Sequence, residues 1–198
     1  MKKYVWVILI PIFLAIIYLL KQIVQISWIG LSAIIIAGAI IAFFIDMERN
    51  QINAKEIALL ATMSSLAAVA RIPFVFIINF QPTTFVIMIS GYVFGIRSGF
   101  LVGAVAALVS NFYLGQGPWT PWQMIAWAIC GALGGVLGKG AKKYRRKSFI
   151  LLCGLCGLLY GWVMNIWHWI AFVYPVNFKT FLATYAASFP YDMIHLVG

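Results

Sequence analysis

Residues 99–138 read GFLVGAVAALVSNFYLGQGPWTPWQMIAWAICGALGGVLG, a run without a single Asp, Glu, Lys or Arg. Its two apolar parts, 99–114 and 124–138, each approach the length of a helix that crosses a bilayer. The prolines and glycines between them argue against regular helix there. The sequence therefore predicts two membrane-spanning helices joined by a short irregular loop.

The composition of the whole chain extends this prediction. Of 198 residues, 64% are hydrophobic and 9% are charged, against about 45–50% and about 25% in soluble domains. So few charges cannot cover a water-facing surface, which excludes a soluble enzyme and a free nucleic-acid-binding domain. Further apolar windows lie at 4–20, 28–45, 57–70, 84–96, 149–170 and 180–198. We predict an all-α integral membrane protein, with a six-helix core preceded by two extra N-terminal transmembrane helices.

A polar segment divides the chain. DMERNQINAKE, residues 46–56, is its only long mixed-charge stretch and is interpreted as a hinge between the two N-terminal helices (1–45) and the six-span core (57–198). The amino-terminal MKK and the apolar run after it resemble a signal peptide. That run is long, contains Pro11 and lacks a small-residue cleavage site, so we expect a retained helix.

The last apolar window is less regular than the others. Pro190 interrupts it, and the sequence ends at Gly198 without a polar tail. If the final span begins near Tyr191, it crosses only part of the membrane and is truncated, and 178–189 is an outer amphipathic segment. If the span begins near residue 180, it is complete. The sequence leaves both alternatives open.

Basic residues predict the orientation in the membrane. Six of the 14 Lys and Arg lie in KGAKKYRRK, residues 139–147, which is typical of a cytoplasmic loop in contact with anionic lipid. With this loop inside and the spans alternating, all the other basic residues fall inside except Lys21, Arg71 and Lys179. We expect a multi-pass plasma-membrane protein with a cytoplasmic amino terminus. Its loops at 71–84, 112–123 and 168–179 would then face the exterior.

Aromatic and amide side chains cluster in these three exterior loops. Trp and Tyr gather at membrane interfaces, so an interfacial belt explains part of the cluster. Amides are costly near lipid and must find partners; aromatic walls with a few neutral amides describe a pocket for a bulky, partly polar, near-neutral molecule. The candidate binding residues are Asn79, Gln81, Asn111, Tyr113, Gln116, Trp119, Trp122, Gln123, Trp127, Asn165, Trp167 and His168.

Arg71 is a further candidate binding residue at the outer end of the first core span. Two roles are open for it. Its long side chain can extend to the membrane interface and leave its charge in water. Alternatively, its guanidinium can hold a carboxylate or phosphate of a ligand.

Small residues recur at helical spacing. Ala54, Ala58, Ala61, Ser65 and Ala68 form one stripe, and glycines are spaced by four in 95–103, 131–135 and 157–161. In lipid, such patterns let helix backbones approach closely. We expect the glycines to pack the internal bundle. The alanine stripe either does the same or forms a docking face for another membrane subunit.

Few residues suggest catalysis. Metalloprotease, serine-hydrolase and Walker A motifs are absent from the sequence, and we expect no metal site or cofactor. The three cysteines lie in apolar stretches and are interpreted as small buried hydrophobic residues. Asp192 and His195, three apart, share a helix face and are expected to pair structurally. They are the only candidates for a membrane enzyme acting on lipid or isoprenoid substrates, and a stand-alone facilitator is a third alternative.

Roughly residues 50–198 resemble the substrate-binding S component of an energy-coupling factor (ECF) vitamin transporter. The resemblance is carried by the Ala/Ser-rich first core span, by NFQPTTFVIMISGYVFG (79–95), by SNFYLGQGPWTPWQM (110–124) and by PYDMIH (190–195). The most specific part is GPWTPWQ, and among the branches the cobalamin type is the most similar. Residues 1–45 go beyond the usual six-span core, and the short carboxyl terminus departs from the pattern.

This resemblance implies a function without catalysis. The chain would be the substrate-specific, high-affinity vitamin-binding subunit of an ECF-type ABC importer, with an outward-facing pocket, no ATPase of its own and cobalamin as the expected cargo. It would dock on a transmembrane coupling subunit that works with two cytoplasmic ATPases, and it would topple in the membrane to release the vitamin. The docking residues would be Ala58, Ala61, Ser65 and Ala68.

Overall fold

The computed structural model describes residues 30–38, 41, 53–77, 80–141 and 143–197, and all secondary structure within these ranges is helical. The predicted hinge and most of the two predicted N-terminal helices lie outside the described residues. The helices of the core are α1 (Ala54–Arg71) with a short 3₁₀ helix (Ile72–Phe74), α2 (Thr83–Phe94), α3 (Ile96–Leu114), α4 (Thr120–Gly138), α5 (Arg146–Phe172) and α6 (Phe178–Val197). The all-α fold class is confirmed.

Four of these helices are long and apolar enough to cross a membrane. They are α1 with its 3₁₀ extension, α3, α4 and α5, whereas α2 is apolar but has only 12 residues. Gly95 separates α2 from α3 and has a φ of 97°, a conformation that residues with a Cβ rarely adopt. The chain can therefore reverse within one residue, which lets two consecutive helices pack directly on each other.

Prolines affect the helices less than the sequence suggested. The irregular stretch predicted for 115–123 is confined to 115–119, because Pro121 lies in the first turn of α4. Proline is favoured there, since first-turn backbone N–H groups have no partner within the helix. Of the two alternatives left open for the last span, the structure has the one that begins near residue 180, and α6 runs through Pro190. Proline removes one helical hydrogen bond, a loss that membrane helices tolerate.

Glycines let α3 and α4 pack with their backbones in contact. A Cβ at Gly99 would overlap the backbone carbonyl of Gly131, and a Cβ at Gly131 would overlap that of Gly99. One turn along, Gly103 lies equally close to the carbonyl of Trp127. The internal packing role predicted for these glycines is confirmed. Helix α4 thereby becomes the centre of the bundle, in contact with α2, α3 and α5.

The last two helices form a hairpin against this centre. Gly157 of α5 lies against the backbone carbonyl of His195, and Gly161 lies against the carboxylate of Asp192. Helix α6 packs mainly on α5, and α5 in turn packs on α4. Residues of α6 therefore reach the bundle interior only where the small residues of α5 leave room.

The bundle has two chemically different ends. One end, which we call the aromatic end, is formed by residues 72–77, 80–82, 115–119 and 173–177. The other, which we call the basic end, is formed by Gly95 and by residues 139–141 and 143–145. At the basic end Arg97 forms an ion pair of 3.3 Å with Glu56. At the aromatic end the helical segment 30–38 contacts the core, because Ser32 Oγ donates a hydrogen bond of 3.0 Å to the Pro118 carbonyl.

Candidate ligand-binding site

Arg71 lies inside the bundle near the aromatic end, with only 9% of its surface exposed. Its Nη1 donates hydrogen bonds to Ser110 Oγ at 2.9 Å and to Asn111 Oδ1 at 2.8 Å. Its guanidinium carbon lies 5.0 Å from the centroid of the Trp127 ring, a cation–π contact. Arg71 therefore does not extend to the interface, which was one of the two roles open for it.

Asn111 joins Arg71 to a chain of hydrogen bonds across three helices. Its Nδ2 donates to Thr120 Oγ1 at 3.0 Å and to Gln123 Oε1 at 2.7 Å. Gln123 Nε2 in turn donates to Tyr160 OH at 2.9 Å, on α5. Asn111 and Gln123 are buried, so this chain, which we call the polar network, satisfies amides that would be costly in an apolar interior.

Aromatic rings enclose the polar network on the side of α5. The rings of Trp127 and Tyr160 stack with centroids 4.7 Å apart and an interplanar angle of 29°. Trp127 Nε1 donates to Thr84 Oγ1 at 3.1 Å, which ties α4 to the first turn of α2. The edge of Tyr160 meets His195, with ring centroids 5.1 Å apart. A charged group and several amides thus lie beside stacked aromatic faces, as in a pocket that orients a partly polar ligand.

The loop 115–119 covers the polar network at the aromatic end. The side chain of Gln116 accepts from Thr120 Oγ1 at 3.0 Å and donates to the Leu108 carbonyl at 3.0 Å. The indole of Trp119 lies over Gly117, where a Cβ would overlap the ring. The loop is therefore held by its own side chains above the helix ends.

A second polar cluster joins α5 and α6. Asn165 Nδ2 donates to Ser188 Oγ at 2.7 Å and to Asp192 Oδ2 at 3.0 Å, and Ser188 also donates to Asp192. The predicted pairing of Asp192 with His195 is wrong, because the carboxylate is bonded to Asn165 and Ser188. The two residues do share a buried face, yet His195 Nε2 has no hydrogen-bond partner within the described structure.

Six of the candidate residues lie in the polar network or in the contacts around it, three make contacts elsewhere in the bundle, and two are exposed. The first group is Arg71, Asn111, Gln116, Trp119, Gln123 and Trp127. Of the second group, Trp122 and Trp167 face each other with centroids 6.0 Å apart, and Asn165 belongs to the α5–α6 cluster. Tyr113 and His168 are exposed on the outer faces of α3 and α5. Gln81 lies two residues before the start of α2, and Asn79 lies outside the described residues.

The sequence reasoning missed three residues bonded within the polar network and a fourth, Thr84, bonded to the Trp127 ring beside it. Ser110 precedes Asn111 and Thr120 precedes Pro121 in the sequence. Their hydroxyls were not predicted to take part in the site, because hydroxyl side chains are common in membrane helices. Thr84 was part of a quoted motif. Tyr160 stands alone in the apolar stretch of α5, and a single phenol in such a stretch is the signal that could have pointed to it, because its hydroxyl needs a partner when buried.

The stripe of small residues on α1 is only partly exposed. Ala58, Ala61 and Ser65 lie on its outer face, whereas Ala68 is buried, with 3% of its surface exposed. The helix turns its buried side inward through Leu60, Ser64, Ala67, Ala68 and Arg71. The expectation that Ala68 belongs to a docking face is therefore corrected, since it lies on the buried side of the helix.

No group of three or more His, Cys, Asp or Glu side chains in the described ranges could hold a metal ion. A family model described as "ECF transporter, substrate-specific component" matches residues 55–197, well over half of the chain. No curated protein and no solved structure matches it.

Proposed function

The chain belongs to the family of substrate-specific components of ECF transporters, and we propose that it binds the transported cargo at its aromatic end. The observation that carries this proposal is the polar network, a buried cation and amides beside stacked rings. These groups stabilise the bundle through bonds to one another, and their concentration beside aromatic faces at one end also suits a binding site. A ligand that shares their hydrogen bonds accounts for their position.

The proposed cargo is a vitamin-class small molecule bound with high affinity from outside the cell. The aromatic end faces the exterior in this proposal, because the basic loop 139–147 at the other end is typical of the cytoplasmic side. Stacking and apolar burial would supply affinity, and Asn111 and Gln123 would fix orientation. Cobalamin is the first cargo to test, on the resemblance of the loop GPWTPWQ to that branch.

We further propose that the exposed face of α1 docks on a transmembrane coupling subunit, which works with two cytoplasmic ATPases. Ala58, Ala61 and Ser65 give this face a small-residue surface that another membrane helix can approach closely. Energy for transport would come from those partners. The chain alone would bind cargo and move none of it.

The experiment that tests binding is a titration of the detergent-purified full chain with a panel of vitamins that includes cobalamin. Tryptophan fluorescence detects binding, and calorimetry gives its stoichiometry. We expect saturable, near one-to-one binding of one vitamin. Binding should weaken about tenfold or more in Trp122→Ala, because one large buried contact is worth about 1.5–3 kcal/mol.

Trp162→Ala is the matched control for that variant. Trp162 lies on the exposed side of α5, with 53% of its surface exposed, so its loss should leave the affinity unchanged. Absence of binding by every vitamin, in a sample that retains a cooperative thermal transition, would overturn the proposal. That result would favour a membrane enzyme or a structural subunit instead.

A further inference from the structure

The positive charge of Arg71 has no acidic partner among the described residues. Both hydrogen bonds of its Nη1 go to neutral groups, and its guanidinium rests on an aromatic face. The Trp127 ring attracts the cation through its quadrupole but carries no net charge. A buried charge in a membrane protein is costly unless it is paired, and such charges tend to mark functional sites.

The described acidic residues are engaged elsewhere. Glu56 lies in the first turn of α1, at the basic end, where it pairs with Arg97. Fifteen residues of helix, about 22 Å, separate it from Arg71. Asp192 is bonded to Asn165 and Ser188 on the α5–α6 hairpin. The other two acids of the chain, Asp46 and Glu48, lie outside the described residues.

Two polar atoms near the aromatic end are buried without a partner in the described structure. They are Nε of Arg71, a donor, and Oε1 of Gln81, an acceptor. Thr83 Oγ1 donates to the Ala67 carbonyl, one turn before Arg71, so the start of α2 lies beside the last turns of α1. Both atoms therefore belong to the same end of the same helix pair. Buried polar atoms of this kind normally have partners, and a bound molecule supplies such partners.

We propose that the cargo carries an anionic oxygen group, a carboxylate or a phosphate, that binds Arg71. This inference rests on the proposed function and names the chemistry of the group recognised there. The anion would accept from Nε, the donor left free, and would neutralise the guanidinium. Because Arg71 is the last residue of α1, a ligand entering between the loops of the aromatic end meets it without crossing the bundle.

The site also offers a hydrogen-bond acceptor to a donor group on the same ligand. Gln81 Oε1 would accept from an N–H or O–H on the cargo, on the side of α2. The sequence alone predicted a near-neutral molecule and left open whether Arg71 holds a carboxylate or phosphate of it. Burial of Arg71 changes that prediction to a molecule that is largely apolar or amide-rich but bears one negative group.

The experiment compares anionic compounds with uncharged counterparts on the detergent-purified full chain. The carboxylate pairs are pantothenate with panthenol, biotin with biotinamide, and nicotinate with nicotinamide. The phosphate pairs are pyridoxal 5′-phosphate with pyridoxal, and cyanocobalamin with dicyanocobinamide, which lacks the phosphodiester and its nucleotide. We expect one anionic member to bind and its counterpart to bind about 10- to 100-fold more weakly, as for the loss of one charged hydrogen-bonded contact.

Arg71→Gln tests whether that preference comes from Arg71. In this variant the preference for the anionic member over its counterpart should fall to about threefold or less, because the neutral counterpart does not depend on the charge of Arg71. Arg97→Gln is the matched control: it also removes one positive charge, at the basic end, and should keep the preference. Arg71→Lys keeps the charge without the planar fork and should keep the preference at reduced affinity.

The outcomes separate this inference from the proposed function. A neutral compound that binds as tightly as its anionic counterpart would overturn the inference and leave the binding subunit in place. Equal weakening of both members in Arg71→Gln would also overturn it, and would assign Arg71 a structural role. If no member of any pair binds folded wild-type protein, both proposals fail. The wild-type comparison stands even if Arg71→Gln does not fold.

Discussion

Asn111 is the residue whose replacement tests the polar network most directly. It is buried, with 1% of its surface exposed, and bonds to Arg71, Thr120 and Gln123 at 2.8, 3.0 and 2.7 Å. Asn111→Leu preserves the approximate volume and removes all three bonds. Nη1 of Arg71 then keeps only Ser110, and Gln123 Oε1 is left without its donor. The variant should therefore be less stable than the wild type.

The magnitude follows from these three bonds. A bond to a charged group is worth about 1.5–3 kcal/mol and a neutral one about 1 kcal/mol, with an average near 0.6 kcal/mol between membrane helices. Leucine recovers part of this through apolar contact. We expect Asn111→Leu to lower the free energy of unfolding by about 2–4 kcal/mol, measured by titrating detergent-solubilised protein with a denaturing detergent while following circular dichroism.

Two further variants make the test specific. Phe112→Leu changes the next residue on α3, which has 76% of its surface exposed, and should stay within about 0.5 kcal/mol of the wild type. Asn111→Asp also loses the two hydrogen bonds that Asn111 Nδ2 donates, but it places a carboxylate beside Arg71. It should therefore be less destabilised than Asn111→Leu, because the carboxylate supplies the missing counter-charge. It should also weaken binding of an anionic cargo. An Asn111→Leu variant as stable as Phe112→Leu would refute the energetic importance of the network.

Three other predictions follow from packing and exposure. Gly131→Leu should prevent folding or cost several kcal/mol, because the atoms its side chain would meet are the backbone of α3; Gly38→Ala, with open space at the added carbon, should have little effect on thermal unfolding. Ala61→Leu should reduce uptake and co-purification of the coupling subunit while cargo binding persists, whereas Ala183→Leu on the exposed side of α6 should reduce neither; loss of binding in Ala61→Leu would contradict the docking role. Tyr160→Phe keeps the ring stack and loses one hydrogen bond of 2.9 Å, which should cost about 1 kcal/mol in the same unfolding assay; wild-type stability would show that the bond contributes nothing.

The positions of the core helices could be predicted from the sequence. Windows of apolar residues predicted all six core helices to within a few residues, because a bilayer requires long uninterrupted apolar stretches whatever the neighbouring helices are. The glycine spacings likewise predicted close internal packing, as at Gly99 and Gly131. The sequence left open whether α6 continues through Pro190, because a proline rule derived from isolated helices takes no account of the neighbours of α6.

The candidate site could be predicted only in part. Asn111, Gln123 and Trp127 stood out because amides and tryptophans are conspicuous in an apolar chain. Tyr113 belongs to the same composition and yet lies on an exposed face, because a pattern of residue types does not say toward which neighbour each helix turns. Tyr160 was missed because it lies in an apolar stretch of α5 and its neighbours in the sequence give no sign of a polar role. Its role depends on Gln123, a hydrogen-bonding partner on another helix.

The sequence by itself determined that this protein is a membrane bundle, where its core helices lie to within a few residues, and which family it resembles. These features depend on local composition and short-range spacing. Tertiary structure alone decided that Arg71 is buried rather than exposed at the interface, that Ala68 faces inward, and that Asp192 bonds to Asn165 rather than to His195. The physical reason is the same in each case: burial and pairing depend on the rotation of each helix about its axis, which contacts between helices distant in sequence determine.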